Sequence, residues 1–105
     1  MPADVLDRDR AVRILIASEQ EIRALGVERL ALFGSVLRNK ARSDSDVDVL
    51  VGFRAGTKTF RNFLALCDLL ESRLGRRVDL LTTESLSPFV GPRILAEAQD
   101  VIRAA

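Results

Sequence analysis

At 105 residues the chain is long enough to bury one modest core and too short for a separate substrate domain. Sixteen Lys and Arg against 15 Asp and Glu leave a net charge of +1, which offers no general attraction for nucleic acid or an anionic membrane. With no His, histidine catalysis and His-ligated zinc are excluded; with no Tyr, so is self-modification on tyrosine; Cys67, the single cysteine, cannot form an internal disulfide.

The first stretch shows no leader-like pattern, and no apolar run approaches the roughly 20 residues of a membrane-spanning helix. The expectation is one soluble, cytoplasmic domain over residues 1–105. From Arg8 to Leu25, apolar Ala11, Ile14, Leu15, Ile22 and Leu25 fall at helical spacing, with Ser18 the exception, and Gly26 suits the residue beyond a helix end. Val27 to Phe33 reads as a strand, and Gly34-Ser35 opens a turn or short helix. Arg38 to Ser45 is polar and rich in turn formers.

Asp46 to Phe53 reads as a second strand, with Val47, Val49 and Val51 on one face and Asp46, Asp48 and Leu50 on the other. Between Thr57 and Leu74, Phe60, Phe63, Leu64, Cys67, Leu70 and Leu74 recur every three or four residues, and Gly75 closes this helix; Phe60, Phe63 and Cys67 are expected in the core. Arg77 to Leu81 is a short strand holding Asp79, and Thr82 to Ser85 a loop. A further helix is expected over Ser87 to Ala98, with Pro88 in its first turn and Gly91-Pro92 weakening or kinking it. An edge strand is expected over Val101 to Arg103. The alternation of elements describes an α/β (α+β) domain, a small mixed sheet with helices packed on it.

The chemistry-bearing residues cluster in the middle of this order. Carboxylates two apart on a strand have Cα atoms about 6.6 Å apart and share a face. Side chains converging from that spacing can share a pair of divalent ions about 3.5–4 Å apart, the arrangement used in nucleotidyl transfer. Asp46 and Asp48 are therefore candidate metal ligands, and oxygen donors select Mg²⁺ or Mn²⁺. Asp79 joins them if its strand lies alongside, although Arg76 and Arg77 equally offer it structural ion pairs. Gly34 permits close backbone approach to a phosphate, the next N–H groups and the Ser35 hydroxyl can face phosphate oxygens, and Arg38 can neutralise them. Asp44 is taken as a turn residue, and Lys40, Arg42 and Lys58 as solvated surface charges.

The stretch Phe33-Gly34-Ser35, ten intervening residues, then Asp46-Val47-Asp48 resembles the G-S-x10-D-x-D signature of the DNA polymerase β-like nucleotidyltransferase superfamily. The length and the Val78-Asp79-Leu80-Leu81 segment look most like its minimal members, the MNT-type antitoxins. The resemblance implies nucleotide binding by Gly34, Ser35 and Arg38, metal binding by Asp46, Asp48 and Asp79, and catalysis by these three acids, with Asp79 helping to deprotonate the attacking hydroxyl. It implies ATP as substrate, two Mg²⁺ ions (Mn²⁺ as an alternative), and an HEPN-type ribonuclease toxin as partner, neutralised by transfer of AMP onto a tyrosine. Leu37 and Asn39 depart from the small residue and glycine usual beside Arg38, although Asn tolerates positive φ. Two other functions stay open: an antitoxin that neutralises by binding alone, and nucleotidylation of RNA or a small molecule, with a dimer interface supplying the acceptor wall.

Overall fold

The computed structural model describes residues 5–103. The elements run α1 (Arg8–Ala17), α2 (Glu19–Ala24), β1 (Val27–Phe33), α3 (Gly34–Leu37), β2 (Val47–Phe53), α4 (Phe60–Leu74), β3 (Val78–Thr82), a 3₁₀ turn (Thr83–Ser85), α5 (Gly91–Glu97) and β4 (Gln99–Ile102). The four strands form one mixed sheet in the order β3-β2-β1-β4. The expected small mixed sheet with packed helices is what forms.

The chain enters helix through Asp7, whose carboxylate caps the Arg10 N–H at 2.8 Å. Instead of the continuous helix expected to Leu25, the chain breaks at Ser18. There the hydroxyl donates to the Ile14 carbonyl at 3.1 Å, a side-chain bond that competes with the helical ladder, and α2 restarts one residue on. Gly26 then turns at φ +92°, with its missing Cβ replaced by Thr57, and delivers the chain into β1.

β1 and β2 pair antiparallel, Phe33 opposite Asp48, while α4 carries the chain across so that β3 returns parallel to β2. β4 closes the far edge antiparallel to β1, and includes Gln99 and Asp100, two residues ahead of the expected start. Both faces of the sheet are covered. The larger core joins Leu15 and Ile22 of the first helices, Leu66, Leu70 and Leu74 of α4, and Val47, Val49 and Val51 of β2. The opposite face buries Ala31, Phe33 and Leu50 beneath Leu81, Leu86, Ile94 and Ala98.

Two expectations about helices are corrected. In α4 the fully buried positions are Leu66, Leu70 and Leu74; Phe63 and Cys67 are half-buried and pack against that core as expected, whereas Phe60 is 78% exposed. The helix presents the i, i+4, i+8 row Leu66, Leu70 and Leu74 to the core, and Phe60, its first residue, lies beyond it. Gly91 and Pro92 begin α5 instead of kinking a longer helix, because proline suits a first turn whose N–H groups lack helical partners. Among the described residues no helix is long and apolar enough to cross a membrane.

Candidate active site

The site forms where β1 ends, β2 begins and β3 runs alongside. Gly34 leaves β1 at φ +75° and starts α3, and a Cβ built there would collide with the carboxylate of Asp48. Glycine is required on both counts. The Ser35 N–H donates to that same carboxylate, which is thereby held under the turn. Ser35 retains a second donor, its hydroxyl.

Parallel pairing sets Asp79 directly opposite Asp48, so the two acids occupy neighbouring strands at one level of the sheet. Asp48 is half-buried and Asp79 exposed. Desolvation of Asp48, then the charges of Asp79 and Asp46, raise its carboxyl above the usual carboxylate value, against the opposing pull of Arg38 and the Ser35 N–H. Asp46 lies just ahead of β2, exposed, 3.3 Å from Nε of Arg77. As placed, no three acidic or thiol groups among the described residues close around one point. The donor set nonetheless suits a hard divalent cation: carboxylate oxygens, no imidazole, and like charges crowded at Asp48 that a cation would relieve.

Arg38 follows α3 and is exposed, its guanidinium Nη1 2.6 Å from Oε1 of Glu97. The same oxygen accepts the Gly34 N–H at 3.2 Å. The Gly34 N–H therefore donates to Glu97, and the Ser35 N–H, expected to face phosphate oxygens, donates to Asp48. Asn39 adopts φ +56°, the left-handed conformation a glycine would take, and its side chain accepts the Arg8 N–H at 2.9 Å. The turn is thus tied to the start of α1.

Glu97 escaped the sequence reading. A signal was present in that it ends α5, where the helix dipole disfavours negative charge and a compensating donor is needed.

Residues 15–101 match the nucleotidyltransferase domain family. The chain belongs to that family. Among relatives of this nucleotidyltransferase, the protein adenylyltransferase MntA of Thermococcus cleftensis is 40% identical over 85 residues, 80% of this chain and 85% of that protein. A Methanocaldococcus jannaschii protein, proposed to be a protein adenylyltransferase, is 44% identical over 77 residues, 73% of this chain and 82% of its own length. A solved structure described as a proposed minimal nucleotidyltransferase superposes with a TM-score of 0.70 at 37% identity, covering 88% of this chain and 89% of that one. The fold is shared with a toxin-antitoxin structure containing AMP-PNP, with a TM-score of 0.67 at 22% identity over 94% of this chain and 75% of the other.

Proposed function

We propose that this nucleotidyltransferase, working in the cytoplasm as one domain, transfers AMP from ATP to a tyrosine hydroxyl of a partner protein, an HEPN-type toxin, and so acts as its antitoxin. The observation that carries the reading is Asp48 held beneath the Gly34 turn and level with Asp79 on the adjacent strand. That closeness supports reading the turn as a phosphate binder and the carboxylates as its partners in one site. The archaeal relative named MntA and the toxin-antitoxin fold neighbours support the choice of AMP and of a protein acceptor.

Asp46, Asp48 and Asp79 would hold two Mg²⁺ ions, which when bound neutralise charge on the phosphates and the leaving pyrophosphate. Ser35 and Arg38 bind phosphate oxygens through the hydroxyl and the guanidinium. Asp79, exposed and level with Asp48 on the adjacent strand, takes the proton as the acceptor oxygen bonds to the α-phosphorus and the bond to the β-phosphate oxygen breaks. AMP is then ester-linked to the acceptor, and pyrophosphate departs.

The test supplies Mg²⁺-ATP and an HEPN-type partner protein that binds this chain, and reads the partner's mass. One or more AMP increments on a partner tyrosine are expected, and none with Asp48→Asn. An unmodified partner would sink the reading.

A further inference from the structure

The geometry points to Glu97 as a positioning residue for the phosphate-binding arginine, an assignment that rests on the reading of Gly34 to Arg38 as the phosphate site. One oxygen of Glu97 takes both the Gly34 N–H at 3.2 Å and Nη1 of Arg38 at 2.6 Å. A single acceptor from α5 thereby links the first residue of the turn to a guanidinium four residues later. Without that link, a long exposed side chain samples many rotamers and must be ordered when phosphate arrives. With it, the ordering is in place beforehand, which is how preorganisation raises affinity.

The alternative is that Glu97 competes with phosphate. Donor arithmetic favours positioning. A guanidinium carries five N–H donors in a planar fork, and the bond to Glu97 engages one nitrogen, leaving others for a phosphate. The Arg38 side chain is 53% exposed, so those donors are reachable. Glu97 itself sits at the wrong end of a helix for its charge, and its two donors are what compensate it there. Its side chain is 30% exposed, more sheltered than Arg38, as expected of the fixed member of the pair.

The experiment titrates the full chain with Mg²⁺-AMP-PNP by calorimetry, for the parent, Glu97→Gln, Glu97→Ala, Arg38→Ala and the double variant Glu97→Ala with Arg38→Ala. Glu97→Ala is expected to weaken binding about fivefold, and Glu97→Gln, which keeps a neutral acceptor, to lose less. In the Arg38→Ala background most of the Glu97→Ala effect should vanish, since a positioning residue has then nothing to position. Tighter binding by Glu97→Ala would overturn the assignment in favour of competition. An unchanged Kd, or an effect undiminished without Arg38, would overturn it as well. A parent that binds no Mg²⁺-AMP-PNP would overturn the phosphate-site reading itself, and the assignment with it. Glu97→Gln, near-isosteric, covers the case in which the alanine variant does not fold.

Discussion

Gly34 and Asp48 occupy adjoining space: the carboxylate fills the position where any other residue at 34 would carry its Cβ, and Gly34 is held at φ +75°. Gly34→Ala therefore meets both a left-handed backbone penalty of about 1–2 kcal/mol and a displaced acid. A lowered urea midpoint and at least a tenfold loss of Mg²⁺-AMP-PNP affinity are expected. Parent-like calorimetric binding would show that the close approach has no bearing on the site.

Asp48 also carries a stability cost. Its folded-state pKa is raised, by desolvation first and then by Asp79 and Asp46, so the folded chain holds this proton at pH values where the unfolded chain has lost it. That contribution favours the fold at acid pH and is lost as pH rises through the raised value. Asp48→Asn should accordingly melt higher than the parent at neutral pH and equally at acid pH, while losing transfer activity. Added Mg²⁺ should narrow the neutral-pH gap by stabilising the parent alone. Melting curves with and without the metal check both statements.

The three acids differ in setting, and their variants should differ too. Asp79→Asn is expected to slow transfer by about 10²–10⁴-fold while leaving nucleotide binding within a few-fold of the parent, as befits a proton acceptor. Asp46→Asn should be milder than Asp48→Asn, because Asp46 is exposed and already paired with Arg77. If Asp46→Asn proves the more damaging in a single-turnover assay, this ordering fails. In a toxicity rescue assay, full rescue by Asp46→Ala with Asp48→Ala would favour neutralisation by binding alone.

Burial raises the Cys67 thiol, and Glu71 and Asp68 raise it further. Alkylation of the native protein by iodoacetamide should therefore be slow at pH 8 and show a midpoint above that of an ordinary cysteine. Denaturation should restore the ordinary rate.

On α4, Leu70 is fully buried and Phe60 is 78% exposed. Leu70→Ala should cost about 2–5 kcal/mol in urea unfolding, and Phe60→Ala no more than about 0.5 kcal/mol. A large loss at Phe60 would place it in the core after all.

The contrast on α4 shows where local pattern stops. Helical spacing identified the apolar stripe, but the row facing inward is set by the sheet on which the helix lands, and that involves residues distant in sequence. Ser18 is similar: its departure from the pattern was visible, yet whether the helix bends or breaks depended on where the following residues had to pack. Gly91-Pro92, expected to weaken or kink a longer helix, starts α5 instead, since Pro tolerates a first turn but not an interior one.

The strands around the signature and the left-handed glycines at 26 and 75 were legible in local sequence, because they follow from chirality and a period of two, whereas Asp46, expected to open β2, lies one residue ahead of it. Only the tertiary structure decided that β3 lies parallel to β2 with Asp79 level with Asp48, and that Glu97, 63 residues from Gly34, closes on the turn. Strand order and helix docking are selected by the simultaneous burial of two sheet faces, a property of the whole chain that no local spacing encodes.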